Sequence, residues 1–125
     1  MYNQDNIFAK IIRHEIPADV VYEDDLVLAF NDISKAAPIH ILVIPKGEFT
    51  NFVDFVQKAK SDEVADFFKK VSKIAKKADI KKEGFRIISN IGDNAHQTVE
   101  HFHVHILAGR KLGPLLVSGD TNSNL

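Results

Sequence analysis

The sequence predicts an α+β domain: a five-stranded antiparallel sheet with one short N-terminal helix and one long helix. Five short runs are rich in Val, Ile, Leu and Phe, which is typical of strands. Two other segments repeat their apolar side chains at the 3.6-residue spacing of an amphipathic helix. The connections between the runs are short, and this favours antiparallel pairing because parallel strands need long crossovers.

The first half of the chain carries the short helix and three of the predicted strands. The apolar face of this helix comprises Ile7, Phe8, Ile11 and Ile12. Asp5 or Asn6 is available as its N-cap, and Pro17 ends it. Strands are predicted at Val20–Glu23, Leu26–Asn31 and His40–Ile44. The pair Asp24-Asp25 separates the first two strands, which we expect to form a hairpin.

The second half carries the long helix and the last two strands. Apolar residues follow the i, i+3, i+4, i+7 pattern at Val64, Phe67, Phe68, Val71, Ile74, Ala75 and Ala78. Ser61 is the predicted N-cap, and the acidic pair Asp62-Glu63 suits the positive first turn of this helix. The fourth and fifth strands are predicted at Phe85–Ser89 and His101–Leu107.

The composition limits the classes of protein that fit. No linker or repeat divides the 125 residues, so we expect one domain over residues 1–125, with a core of about residues 5–110 and a C-terminal tail over 111–125. The 16 Lys and Arg nearly balance the 17 Asp and Glu, which does not favour a nucleic-acid partner. The absence of cysteine excludes disulfide scaffolds and thiol nucleophiles. The polar opening and the lack of a long apolar run predict a cytoplasmic protein with no membrane partner.

One segment near the end of the sequence, EHFHVHIL, has a histidine at every second position. On a strand, His101, His103 and His105 would share one face, and the apolar residues between them would face the core. Three imidazoles in a row do not suit a hydrophobic core, because each ring has polar nitrogens that need hydrogen-bond partners. This pattern indicates a functional site.

Two kinds of chemistry use such a row of histidines. Neutral imidazoles can bind a metal such as zinc. An imidazole can also act as a nucleophile toward phosphorus, while its neighbours stabilise charge on the phosphoryl oxygens. Alternation alone leaves both open, although three histidines on one strand span about 13 Å, which is awkward for a single tetrahedral ion.

The sequence resembles the histidine-triad (HIT) family in several segments. His101–Leu107 matches the family signature His-φ-His-φ-His-φ-φ, where φ is apolar, and Gln97-Thr98-Val99 precedes it as in the family. The other matching segments are Asp5–Ile12, Ile16-Pro17, Phe30–Ser34, Ala37–His40 and Leu42–Lys46. The resemblance extends from about residue 5 to residue 110. It is greatest to the histidine-triad nucleotide-binding proteins, the purine nucleoside phosphoramidase branch, and it implies a HIT-like fold.

The resemblance implies a reaction and four catalytic residues. In that branch the central histidine attacks the α-phosphorus of a nucleoside 5′-phosphoramidate, and water then hydrolyses the nucleotidyl-histidine. Carried over, His103 is the nucleophile, oriented by the backbone carbonyl of His101. His105 would bond a phosphate oxygen and help to protonate the leaving amine. His101 and His40 would be the surrounding imidazoles that order the pocket.

The resemblance also implies the residues that bind the nucleotide. Asp32 would accept both ribose hydroxyls, which suits a two-oxygen acceptor. Asn90 and Thr98 match positions that bond the phosphate or its leaving group, with backbone donors near Gln97 and Val99. The apolar slot for the purine would comprise Ile7, Phe8, Ile11, Phe30 and Ile33. One departure is Ala95-His96, where the family has a small residue and glycine; we expect the His96 side chain to face solvent.

The implied partners are a purine nucleotide or nucleoside phosphoramidate and a second copy of the chain. In the implied homodimer the two sheets join and the long helix packs at the two-fold axis. No cofactor is expected to be required; zinc binding is allowed, but not as the catalytic group. Two alternatives stay open: hydrolysis of dinucleoside polyphosphates, which another branch performs, and a nucleotide-binding or interaction module with incidental turnover.

Overall fold

The computed structural model describes residues 1–116 and contains three α-helices and five strands within them. The helices are α1 (Ile7–Ile12), α2 (Phe52–Lys58) and α3 (Ser61–Ala78). The strands are β1 (Val20–Glu23), β2 (Val27–Asn31), β3 (Ile39–Pro45), β4 (Phe85–Ile88) and β5 (Val104–Ala108). A short 3₁₀ helix covers Asp93–Ala95. Residues 117–125 of the predicted tail lie outside the described part of the chain.

The strands form one antiparallel sheet in the order β1-β2-β3-β5-β4. Strand β5 lies between β3 and β4, with Leu42 of β3 opposite His105. This register carries the histidine strand into the middle of the sheet, where neighbouring strands fix its position on both sides. The predicted fold class is therefore confirmed.

The alternation of side chains gives the sheet two buried faces. One face packs against α2 and α3, and its sheet residues are Val27, Ala29, Ile41, Val43, Val104 and Ile106. The other face packs against α1, and its sheet residues are Leu28, Phe30, Leu42 and Ile44. The predicted apolar stripe of α3 lies in the first of these cores, where Phe67, Val71 and Ile74 are buried.

The structure differs from the sequence prediction at two helices. Helix α2 was not predicted; Asn51 caps it by accepting a hydrogen bond from the backbone N–H of Asp54, and Phe55 is its one buried residue. A helix of seven residues with one buried side chain is too short to show a helical period. In α3, Ser61 is the first helical residue rather than the N-cap, and Lys60 occupies the cap without a side-chain hydrogen bond.

The predicted fifth strand begins three residues too early. Ladder pairing of β5 with β3 begins at Val104, and continuing the same register would bring Phe102 opposite Pro45. Because proline has no N–H, the ladder ends there. Phe102 donates its backbone N–H instead to the carbonyl of Phe49, at 2.7 Å. His101 and His103 therefore lie on an irregular segment that enters β5.

Candidate active site

The segment before β5 keeps its side chains on alternate sides although it is not paired as a strand. Phe102 is buried in the α3-side core, stacked on Phe55 with 4.9 Å between ring centroids. The rings of His101 and His103 lie on the α1 side, and both contact Phe8 edge-on. The His103 and His105 rings are 5.0 Å apart. The three histidines thus share one face, as the sequence predicts.

The tautomer of His103 is fixed by the backbone. Its Nδ1 lies 2.7 Å from the carbonyl oxygen of His101. A carbonyl only accepts, so Nδ1 carries the hydrogen and Nε2 carries the lone pair. Burial lowers the pKa of His103, and the hydrogen bond to the His101 carbonyl opposes this shift only in part. The lowered pKa favours the unprotonated ring. A neutral imidazole with a free Nε2 lone pair is the form that a nucleophile requires.

His101 serves as the support of this arrangement. Its Nε2–H donates to the carbonyl of Pro45 at 2.8 Å, and its Nδ1 accepts from the hydroxyl of Tyr2 at 2.6 Å. The ring is fully buried, and burial lowers its pKa to about 4. His101 therefore stays neutral near pH 7 with both ring nitrogens engaged, and it lies behind His103.

A second pair of imidazoles, His40 and His105, is connected by a hydrogen bond. The backbone N–H of Ala36 donates to His40 Nδ1 at 3.0 Å, so His40 carries its hydrogen on Nε2. That Nε2–H donates to His105 Nδ1, 2.9 Å away, and lies 3.5 Å from a carboxylate oxygen of Asp32. The hydrogen of neutral His105 is consequently on Nε2, available as a donor.

Burial governs the charge of this pair as well. It lowers the pKa of His105 to about 4, with smaller contributions in the same direction from His103 and His40. It also lowers the pKa of His40, and the Asp32 carboxylate partly opposes that shift. All four imidazoles of the cluster are therefore neutral near pH 7 without a bound ligand.

His103 and His105 line a cavity of about 340 Å³ between α1 and the sheet. Most of the predicted nucleotide-binding residues line the same cavity: Ile7, Phe8, Ile11, Phe30, Asp32, Ile33, Thr98 and Val99. The cavity is thus apolar at the α1 end and polar at the histidines and Asp32. Ile33 is 97% exposed, so it forms part of the rim rather than of a buried wall.

Four predicted site residues do not line this cavity. His40 and His101 lie behind the two lining histidines, as described above. Asn90 donates its side-chain amide to the carbonyl of Ala95 at 2.8 Å. Gln97 donates to the carbonyls of Thr50 and Val99. The side chains of Asn90 and Gln97 therefore brace the loop that precedes the triad, and their contacts to a phosphate stay predictions.

The structure adds residues that the sequence argument missed. The cavity is also lined by Ile16, Pro17, Ala18, Asp19, Asn31, Ser34 and Leu42. Leu42 could have been found, since it lies two positions after His40 on the same face of β3. The sequence does not indicate that Tyr2 and Ala36 belong to the site. Their hydrogen bonds to histidines depend on the path of the loops that carry them, which the sequence does not specify.

The loop residue His96 adopts a left-handed conformation with φ 61° and ψ 43°. Glycine reaches this region without strain, which is a physical reason for the glycine that the family resemblance leads us to expect at this position. The His96 side chain is exposed, as expected from the sequence.

Comparison with known proteins identifies the family. The family model described as the HIT domain matches residues 13–112. The chain belongs to the HIT family. A purine nucleoside phosphoramidase of Escherichia coli is 44% identical over 113 residues, which are 90% of this chain and 94% of the relative. A HIT family hydrolase from Clostridium thermocellum superposes with a TM-score of 0.81 at 38% identity, over 92% of this chain and 99% of the other. This likeness supports the broad prediction of a hydrolase.

A further relative raises the question of a metal. A 14 kDa zinc-binding protein of Brassica juncea is 43% identical over 108 residues, which are 86% of this chain and 96% of the relative. In the described part of this HIT protein, Asp32, His40 and His105 bring one ligand atom each within 4.8 Å of the others. This set differs from the three strand histidines that the sequence offers as zinc ligands. His101 is not available as a ligand, because both of its ring nitrogens already make hydrogen bonds.

The hydrogen bonds of His40 do not suit a resident metal ion. To ligate a metal through Nε2, His40 would have to carry its hydrogen on Nδ1. The backbone N–H of Ala36 points at Nδ1 and would then face another hydrogen. Zinc binding at this set requires that hydrogen bond to break, so these residues do not fit a resident catalytic metal.

Proposed function

We propose that the protein hydrolyses purine nucleoside 5′-phosphoramidates of the AMP–amine type through a nucleotidyl-His103 intermediate. One observation carries this proposal: the Nδ1–H of His103 is held by the carbonyl of His101, and its unprotonated Nε2 belongs to a ring that lines the cavity. The 44% identity to a purine nucleoside phosphoramidase supports the substrate class.

The cavity suits a nucleoside monophosphate in one orientation. A purine would stack among Phe8, Ile11 and Phe30 at the apolar end. Asp32 lies at the polar end, with a carboxylate oxygen 3.5 Å from His40 Nε2, and its carboxylate can accept both ribose hydroxyls. The 5′-phosphorus would then lie against His103. Phe8, Ile11 and Phe30 carry no side-chain hydrogen-bonding group that could distinguish adenine from guanine, so the proposal names purines as a class and not one purine.

The first chemical step transfers the nucleotide to the enzyme. The Nε2 lone pair of His103 forms a bond to the α-phosphorus, and the P–N bond to the amine breaks. The amine nitrogen keeps the electron pair, takes up one proton and leaves as the free amine. That proton comes from solvent, and the neutral His105 ring donates its Nε2–H as a hydrogen bond to the leaving nitrogen. The carbonyl of His101 stabilises the positive charge that develops on the His103 ring.

The second step regenerates the enzyme. Water attacks the phosphorus, the bond from phosphorus to His103 Nε2 breaks, and the electron pair returns to Nε2. The attacking water loses one proton to solvent, and the nucleoside monophosphate leaves. Because Nδ1–H stays bonded to the carbonyl in both steps, the ring does not have to rotate between them.

Hydrolysis of adenosine 5′-phosphoramidate by the parent and by His103→Ala tests the proposal. The nucleophile variant should lose at least about 1,000-fold in kcat/KM. His96→Ala, which removes an exposed loop histidine, should keep parental activity. Equal rates for the parent and His103→Ala would refute the assignment. Faster cleavage of a dinucleoside polyphosphate than of the phosphoramidate would favour the other branch, and tight AMP binding without turnover would favour a binding module.

We also propose that the chain forms a homodimer through the β4 edge of the sheet. The apolar stripe of α3 gives no support, because it is buried in the chain's own core. Strand β4 supports it: it is an edge strand, and Phe85 and Ile87 are 43% and 50% exposed on it. Such an edge is open to pairing with a second sheet. Light scattering should give a dimer for the parent and a monomer for Ile87→Lys; a monomeric parent would refute the pairing.

Among residues 1–116, no helix is both long enough and apolar enough to cross a membrane. A cytoplasmic location and a single domain over the whole chain remain predictions from the sequence.

A further inference from the structure

The N-terminal segment before α1 reaches the back of the histidine cluster. The Tyr2 hydroxyl donates to His101 Nδ1 at 2.6 Å, and the two rings meet edge-on with 5.6 Å between centroids. Hydrogen bonds hold the segment in this position: the Asn6 amide donates to the carbonyl of Asn3, and Arg13 donates to the carbonyl of Gln4. Tyr2 is therefore tethered near His101 rather than trailing as a free terminus.

The hydrogen bond from Tyr2 completes the support of the His101 ring. With Tyr2 on one nitrogen and the Pro45 carbonyl on the other, the ring has a single tautomer and a single orientation. His101 also provides the backbone carbonyl that accepts the hydrogen bond from His103 Nδ1. Since side chain and carbonyl belong to one residue on an irregular segment, fixing the ring limits rotation of the adjacent peptide.

We propose that Tyr2 is a positioning residue for the nucleophile: by holding His101, it keeps the His101 carbonyl aimed at His103 Nδ1. This inference rests on the proposed function. Tyr2 does not line the cavity and touches no reacting atom, so it acts only through His101. Without its hydroxyl, His101 Nδ1 is a buried acceptor with no partner, and the carbonyl gains freedom to leave His103. His103 then populates the inactive tautomer with hydrogen on Nε2.

The chain offers a matched control for this idea, because it has two tyrosines. Tyr22 also donates a short hydrogen bond, to Asp24 at 2.7 Å, in the turn between β1 and β2. Tyr2→Phe and Tyr22→Phe each delete one hydroxyl and keep the ring. Both variants and the parent are compared by single-turnover cleavage of adenosine 5′-phosphoramidate, by AMP affinity, and by ¹⁵N NMR of the histidine rings, which reports the tautomer.

In Tyr2→Phe, the single-turnover rate should fall about tenfold, the size expected for loss of one buried hydrogen bond. AMP affinity should stay parental, and the His103 resonances should move toward a mixture of tautomers. Tyr22→Phe should keep the parental rate and tautomer. An unchanged His103 tautomer in Tyr2→Phe, or the same loss of rate in both variants, would overturn the inference. If the parent itself does not cleave the substrate, the proposed function fails, and the NMR comparison still decides the role of Tyr2.

Discussion

Lowering the pH from 7.5 to 5 is expected to destabilise the fold through its buried histidines, and His101 allows a quantitative test. This ring is fully buried, and its pKa falls from 6.5 to about 4 on folding. A histidine whose folded pKa is lowered contributes stability above its unfolded pKa. That contribution is lost as the pH falls from 6.5 toward 4, because the unfolded chain binds a proton that the folded chain does not.

The magnitude follows from this difference in proton binding. At pH 5 the unfolded ring is almost fully protonated and the folded ring is mostly neutral. The gap between 6.5 and pH 5 is 1.5 pKa units, which at about 1.4 kcal/mol per unit is about 2 kcal/mol from His101 alone. The result depends little on the folded value as long as it stays well below 5. Carboxyl groups titrate mainly at lower pH and do not dominate this window.

Urea denaturation at pH 7.5 and pH 5 measures the effect. The parent should lose stability at pH 5, with His40, His103 and His105 adding to the loss because burial lowers their pKa values too. His101→Gln cannot titrate, so its loss should be smaller than the parental loss by about 2 kcal/mol. The control His96→Gln, at an exposed site, should behave as the parent does. Equal losses in the parent and His101→Gln would refute a buried neutral His101.

Two further predictions concern the site. Asp32→Asn should raise KM for adenosine 5′-phosphoramidate by about 10- to 100-fold, since the amide replaces one of the two acceptor oxygens with an NH₂ donor and removes the negative charge. Kinetics with the 2′,3′-dideoxy analogue check this, because KM for the analogue should be the same in both proteins. Thorough chelation followed by kinetic assay should leave kcat unchanged, because the Ala36 hydrogen bond opposes metal ligation by His40; a loss that added zinc restores would contradict this reading.

The sequence predicts the architecture well wherever a pattern is long or strictly alternating. The apolar period of α3 continues from Val64 to Ala78, which is about four turns, and the continuous apolar runs of β2 and β3 suit strands that are buried on both faces. The predicted boundary of an element is wrong where a single residue on a neighbouring strand determines where pairing ends. The first residues of the predicted fifth strand are unpaired because Pro45 ends the ladder, which requires the strand register to be known.

The sequence predicts which residues form the candidate site, but it does not predict the hydrogen bonds that connect them. The pattern at His101, His103 and His105 indicates the shared face, and the family resemblance adds His40 and Asp32. The tautomers depend on contacts across the fold, such as Ala36 to His40 and Tyr2 to His101. No local pattern reports such contacts, because they arise from the way loops pass over the sheet.

Trapping the covalent intermediate tests the central claim most directly. The protein is mixed with adenosine 5′-phosphoramidate, quenched in alkali within the first turnover, and analysed by peptide mass spectrometry. We expect one added adenylyl group on the peptide containing the triad, assigned to His103 and absent from His103→Gln. Turnover by the parent without any adduct, or an adduct on His101 or His105 instead, would contradict it.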